Sequence, residues 1–300
     1  MASVAEKLPE QAPPAPPRSL PWAVVAWLGV LLIVANYPIL KILVWQWWNN
    51  EDMGHGFFVP VVAAVLVWQR REKLLAMELK PAWGWGIAVL LYGTLQGYIG
   101  MISAELFLQH TSVLILLVGI LLVTGGIPLV RALIYPLLLL PFMVPIPTVI
   151  YNKITFPLQL FASGVAEQIL SLINIPVLRD GNVLHLASQD LSVAEACSGI
   201  RSLLSLSFLS LVYAYFFENR VWMRWVLFAS TIPIAILANA GRVTITGILS
   251  EINPELARGF FHSLEGWVIF IIAAVLLGCL HAVLNRIVRL VAIKKEPKLA

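Results

Sequence analysis

Charge is scarce in this chain. Asp, Glu, Lys and Arg make up 12% of its 300 residues, about half the share found in soluble domains. Hydrophobic residues make up 60% and mean hydropathy is +0.87. A water-soluble globule is excluded, because it could not hide that much apolar surface. Period-2 alternation over short strands is also missing, which argues against a membrane β-barrel. Cysteine is nearly absent: Cys197 and Cys279 cannot build a disulfide framework. There is no CxxC, no HExxH and no Walker loop, so no metal and no cofactor is expected. No internal repeat is present.

What is there is a series of long apolar runs. Only helices and closed barrels satisfy backbone groups in lipid, so continuous runs mean helices. The expected fold is all-α, a polytopic membrane helical bundle of about eight transmembrane helices with a small outer-face segment. The spans read as Trp22–Leu43, Phe57–Gln69, Trp83–Ile102, Leu106–Thr124, Ala132–Pro145, Ile200–Phe217, Trp225–Ala240 and Leu264–Leu284. Residues 1–21 are Pro- and Ala-rich and read as a disordered cytoplasmic tail, not a signal peptide. The transmembrane domain covers 22–290, and 291–300 forms a basic cytoplasmic tail. Ile154–Ile175 is ambiguous, because it carries Gln159, Ser163, Glu167 and Gln168 with Pro157 inside it. It reads as a ninth span, a re-entrant helix or an interfacial one.

Basic residues arbitrate. A net charge of +4 and a pI near 9.1 could point to nucleic acid, but the basic residues sit in short loops and the tail. Orientation in a membrane explains them better, so the partner is membrane lipid and no nucleic acid is expected. With the N-terminus cytoplasmic and Ile154–Ile175 non-spanning, most of the 20 Lys and Arg fall inside. Lys41, Lys153, Arg179, Arg201, Arg242 and Arg258 stay outside. The stretch 148–196 is then an outer-face loop. In it, Asp180-Gly181 and the partly alternating Val183, Leu184, Leu186, Leu191 and Val193 read as a short hairpin. Cys197, Arg242 and His262 all reach the outer membrane face.

That convergence carries the chemistry. Cys197, in AEACSGIRS, sits where the sixth helix begins, and Arg201 follows one turn later. A thiol at a helix N-terminus near cations ionises readily and is a nucleophile. Its bland reading is a small buried residue beside a snorkelling arginine. Arg242 ends the block NAGR; it is either an interfacial anchor or a donor aimed at a developing oxyanion. Asn239 in the same block is costly in an apolar run unless it pairs. His262, in GFFHSLEGW, is either an interfacial polar group or a neutral base at a helix start. Glu265 follows in the same turn, where it could orient the imidazole. Glu195 is a supporting acid, and His55 in MGHGFFVP sits where it could line the same cavity. His110 and His281 have no partner at useful spacing, His185 lies in the hairpin, and Cys279 reads as packing. Together, a thiol, an imidazole and a guanidinium meet the needs of acyl transfer.

At these residues the chain resembles a known family. AEACSGIRS, NAGR and FHSLEG look like the three signature blocks of the exosortases, multi-pass bacterial inner-membrane cysteine enzymes, and GHGFFVP is also similar. The resemblance covers most of the chain from about Val44 and is strongest from Ser192 to Trp267. It implies a cysteine protease or transpeptidase with its active site facing the periplasm. Its substrates would be secreted proteins with a C-terminal tripartite sorting signal: a Pro-Glu-Pro-type motif (PEP-CTERM), a transmembrane helix and a basic cluster. By that resemblance Cys197 forms a thioester, His262 is base and acid, and Arg242 stabilises the oxyanion or thiolate. Arg201 would contact substrate. The acceptor nucleophile is unknown, and relatives often accompany exopolysaccharide systems. An additional C-terminal domain of some relatives is not expected here. Two other classes fit less well: a transporter or lipid-handling scaffold, which would place charges at mid-bilayer, and a membrane acyltransferase with a lipid or thioester donor.

Overall fold

Prolines decide where the apolar runs break. The computed structural model describes residues 22–193, 200–253 and 259–295, with the side chains of 22, 51, 200, 259–266 and 291–295 outside that description. The first expected span is two helices, α1 Trp22–Ala35 and α2 Tyr37–Asn49. Pro38 has no N–H to continue the ladder, and Asn36 caps the break by donating from Nδ2 to Leu32 O at 2.9 Å. A 3-10 segment, Glu51–Phe57, leads into α3 Phe58–Gln69. Short α4 Arg71–Leu75 precedes the long α5 Trp83–Ile102 and α6 Leu106–Thr124. The Pro-rich run that follows is broken again, into α7 Gly126–Ala132, α8 Ile134–Leu139 and a 3-10 segment Leu140–Met143.

Among the described residues, five helical segments are long and apolar enough to cross a membrane: Asp52–Gln69, Trp83–Ile102, Leu106–Thr124, Val221–Ile252 and Trp267–Leu290. Each of the two bent pairs adds one if it counts as a single span, giving up to seven. The shorter apolar helix Arg201–Phe217 completes the set of segments read from the sequence. The architecture is an all-α polytopic membrane protein.

The chain divides into two compact units, Met1–Tyr37 with Val65–Leu137 and Pro38–Ala64 with Leu138–Ala300. In the first, α5 and α6 form an antiparallel pair. Gly86, Gly93 and Gly100 recur every seventh residue on the buried face of α5. A Cβ at Gly86 would sit 2.9 Å from the Val123 backbone nitrogen, so the glycine stripe lets the two backbones approach closely. Leu74, Leu121, Leu129 and Leu133 close the core of this unit.

The second unit holds the helices that carry the candidate site residues read from the sequence. α9 Thr148–Leu172 is one continuous helix through Pro157, taking in the ambiguous segment as far as Leu172. The strands β1 Val177–Asp180, β2 Val183–Leu186 and β3 Asp190–Ser192 form an antiparallel meander. Gly181 has φ +61°, as the first central position of a type II′ turn requires. The expected hairpin is present, and the structure adds the third strand. Leu184, Leu186, Leu191 and Val193 face inward onto Ala162, Ala166 and Leu170 of α9 and onto Ala240 and Val243.

The polar residues that made the α9 sequence ambiguous have a structural purpose. Gln159, Ser163 and Glu167 lie four apart on one helix face. Gln159 Oε1 accepts from Asn182 Nδ2 at 2.9 Å, Ser163 Oγ donates to Gly181 O at 2.9 Å, and Glu167 Oε2 accepts from Arg179 Nε at 2.8 Å. They dock the hairpin.

Three long helices complete the unit: α10 Ile200–Phe217, α11 Val221–Ile252 and α12 Gly259–Lys295. The expected span Trp225–Ala240 is too short. α11 runs twelve residues past Ala240, through a β-branched stretch whose propensity favours strand. Side chains bonding back to the preceding turn, Thr244 to Ala240 O at 2.9 Å and Thr246 to Arg242 O at 3.0 Å, satisfy those hydroxyls within the helix. Packing against α9 and the sheet overrides local preference. The 32-residue α11 is about 48 Å long, well beyond a hydrocarbon core of about 30 Å.

Candidate functional site

α11 carries the two polar residues of the NAGR block, Asn239 and Arg242, in its buried face. Asn239 is 4% exposed and Arg242 9% exposed, three residues apart and therefore on one side of the helix. The interfacial-anchor reading of Arg242 expected it at a helix end. It lies instead ten residues before the end, inside the protein. Asn239 lines a small cavity with Leu158 of α9, Leu203 of α10, and Ala235 and Ile236 of its own helix. Its Nδ2 has no hydrogen-bond partner among the described residues. The expectation that a buried Asn239 must pair is not met among the described residues, and the residue with this unpaired donor lines a small cavity at the junction of three helices.

The first turn of α10 is fixed by a cluster that joins three elements. Arg201 Nε donates to Asp52 Oδ1 at 2.9 Å, and Tyr151 OH of α9 donates to Asp52 Oδ2 at 2.7 Å. One turn further along α10, Ser205 Oγ lies 3.4 Å from His55 Nδ1, while His55 Nε2 donates to Phe142 O at 3.0 Å. With Nε2 donating, Nδ1 of a neutral ring is free to accept from the serine. His55 is thereby held at both ring nitrogens. Trp47 Nε1 donates to Met143 O at 2.8 Å beside it. Asp52, Tyr151 and Ser205 were not singled out from the sequence. The one available signal was an acid three residues before His55.

Cys197 and Glu195 lie outside the described residues. His262 and Glu265 fall within helix α12, which begins by Gly259 and so starts earlier than the expected span at Leu264; their side chains lie outside the description. Of the eight site residues read from the sequence, the structure describes the side chains of His55, Arg201, Asn239 and Arg242. It brings Arg201 and His55 onto one clamp, and places Asn239 against Leu203 at the start of the same helix.

A comparison with protein-family models now bears on these positions. The model described as transmembrane exosortase (Exosortase_EpsH) matches residues 47–279. The chain belongs to the transmembrane exosortase family. Comparisons with curated proteins and with solved structures give no match. The exosortase match takes in both halves of the Asp52–Arg201 clamp, the cavity and every site residue read from the sequence.

A second polar cluster lies at the other end of α10, and its last members fall just past the exosortase match. Glu218, 6% exposed, meets His281 of α12, with Glu218 Oε2 3.1 Å from His281 Nε2. Tyr213 OH lies 2.9 Å from His281 Nδ1, and Asn285 Nδ2 lies 2.8 Å from His281 Nε2. The Arg220 N–H donates to Glu218 Oε1 at 2.7 Å and Arg224 Nε to Glu218 O at 2.8 Å. Burial works to raise the Glu218 pKa, but the Arg220 N–H, the His281 ring and the Arg220 charge outweigh it and hold the carboxyl below the usual carboxylate range. The sequence offers His281 no partner at useful spacing, and the structure gives it three. Cys279, read as packing, is exposed on the surface of α12.

Proposed function

We propose that this exosortase is a membrane cysteine protease or transpeptidase that cleaves C-terminal sorting signals of secreted proteins through a thioester. The observation that carries the reading is the burial of Arg242 within α11. An arginine kept only to anchor a helix would snorkel to the headgroups. A buried guanidinium beside an orphan amide is a preorganised donor pair for charge that develops during a reaction.

The sequence of steps follows from acyl-transfer chemistry. The Cys197 thiolate attacks the scissile carbonyl carbon; the S–C bond forms and charge collects on the oxygen, where Arg242 stabilises it. The C–N bond then breaks, and His262 delivers a proton to the departing amine. An acceptor nucleophile, losing its proton to His262, attacks the thioester carbonyl, and the thiolate leaves. Arg201 and Glu195 support the thiol. A substrate carrying its own transmembrane helix arrives already confined to the bilayer, which raises its effective concentration at the site. In this reading the protein sits in a bacterial inner membrane, the site faces the periplasm, the signal is of the PEP-CTERM type, and the acceptor belongs to the envelope or to exopolysaccharide export.

The test is a co-expressed, tagged, signal-bearing protein in membranes, with mass spectrometry of its new C-terminus. The wild type yields a cut product and Cys197→Ala leaves it whole. Normal cutting by that variant overturns the proposal.

A further inference from the structure

We propose that Arg220, Arg286 and Arg289 form a headgroup site for an anionic phospholipid at the junction of α10, α11 and α12. Helix spacing builds it. Arg220, which precedes α11, reaches across to α12, where its Nη1 donates to Asn285 Oδ1 at 3.2 Å. Arg286 is the next residue of α12, and Arg289 lies one turn beyond Asn285 on the same side. Arg286 and Arg289 are three apart, which sets their Cβ atoms about 5–6 Å from each other. Three guanidinium groups therefore come from one turn of α12 and from the residue docked on it.

The charge of this cluster is unbalanced. Between Phe217 and Arg224, and between His281 and Leu290, the one acid in the sequence is Glu218. It is buried and already engaged, with Oε2 3.1 Å from His281 Nε2 and Oε1 accepting the Arg220 backbone N–H at 2.7 Å. Arg286 and Arg289 are exposed and make no hydrogen bond or ion pair among the described residues. Orienting a chain in the membrane needs basic residues near the ends of its spans, but not a cluster of them on one helix turn. The surplus charge calls for an anion from outside the chain.

The surface beside the cluster makes that anion a lipid. Leu276, Val283, Ile287 and Leu290 are exposed along one face of α12, a stripe that runs up to Arg286. Trp222, two residues after Arg220, is exposed as well, and an indole suits the headgroup level. An acyl chain laid on the stripe brings its phosphodiester to the guanidinium groups, whose N–H forks match phosphate oxygens. A soluble phosphate would use the arginines and leave the stripe idle.

The full chain, purified in detergent, is titrated with phosphatidylglycerol or phosphatidylcholine and followed by thermal unfolding and native mass spectrometry. Phosphatidylglycerol should raise the unfolding midpoint and stay bound in the mass spectrum; phosphatidylcholine should do neither. The double variant Arg286→Gln, Arg289→Gln should keep the parent's lipid-free midpoint, since neither side chain has a partner among the described residues. It should bind phosphatidylglycerol about tenfold more weakly or worse. A control pair, Lys41→Gln with Lys73→Gln, removes the same charge from other exposed positions and should bind like the parent. If the double variant unfolds early without lipid, Arg289→Gln alone carries the affinity test. Equal weakening in both pairs, or equal binding of phosphatidylcholine, overturns the site. Inorganic phosphate that abolishes the effect of phosphatidylglycerol reassigns the arginines to a soluble anion and overturns the lipid.

Discussion

Arg201 and Asp52 are 149 positions apart in the chain, yet their side chains meet at 2.9 Å. The contact joins the segment after α2 to the helix that follows Cys197, and Tyr151 ties α9 to the same carboxylate. The segment carrying Asp52 is therefore the socket into which α10 docks. The same segment carries the Gly-His-Gly sequence, residues 54–56, that precedes α3.

The two glycines of that sequence have unequal roles. A Cβ on Gly56 would lie 2.5 Å from Trp47 Cδ1 and 2.6 Å from Nε1, whereas one on Gly54 would meet nothing within 4 Å. Gly56→Ala must push the indole whose N–H bonds Met143 O. It should destabilise by about 1–3 kcal/mol, the usual cost of overpacking, while Gly54→Ala stays within about 1 kcal/mol of the parent. Thermal unfolding in detergent checks the pair. Equal losses would show that Trp47 gives way freely.

Much of this was legible in the sequence, and the rest was hidden for physical reasons. Hydropathy locates the apolar segments because lipid imposes one rule on every span. It does not locate the end of α11, since the length beyond Ala240 is set by packing on α9 and the sheet. Arg242 was visible as a candidate because its residue type is rare in such a run; its burial was not. Asp52 was invisible because its partners are distant in sequence. His281 stayed unexplained for the same reason, its nearest carboxylate lying 63 positions away.

The Glu218–His281 cluster makes acid stability a readout of α10, α11 and α12 packing. The folded Glu218 carboxyl is held below the usual range, so its ionised form favours the folded state. That contribution is complete above the ordinary carboxylate pKa and is lost as pH falls through the lower folded value. Thermal midpoints measured from pH 7 downward should hold steady and then drop below about pH 4. Glu218→Gln should lower the plateau and flatten the drop that this group causes. An acid limb unchanged in Glu218→Gln would assign it to other carboxylates.

Asn239 separates stability from function. Its Nδ2 is buried without a partner among the described residues, and leaving a buried donor unmade costs about 1–3 kcal/mol. Asn239→Leu removes the donor and fills the space beside Leu158 and Leu203. The variant should unfold at the same temperature as the parent or higher. Processing of a signal-bearing substrate should nevertheless fall at least about tenfold, because a hydrogen bond to the substrate is worth roughly that much. A more stable variant with unchanged processing would make Asn239 a packing defect and not part of the site.

Arg242 gives the sharpest test of the acyl-transfer reading, because its burial allows position and charge to be varied separately. Removing a donor that acts only as charge develops lowers turnover by about 10²–10³ and leaves substrate binding little changed. Arg242→Gln should therefore lose turnover on that scale, with KM for a signal peptide within a few fold of the parent. Arg242→Lys keeps the charge but loses the fork of N–H donors, and should recover only part of the rate. An arginine that instead gripped the substrate before reaction would raise KM and spare turnover. Rates measured in membranes at several substrate concentrations distinguish the two, and a KM effect alone would move Arg242 from the reacting oxygen to the binding groove.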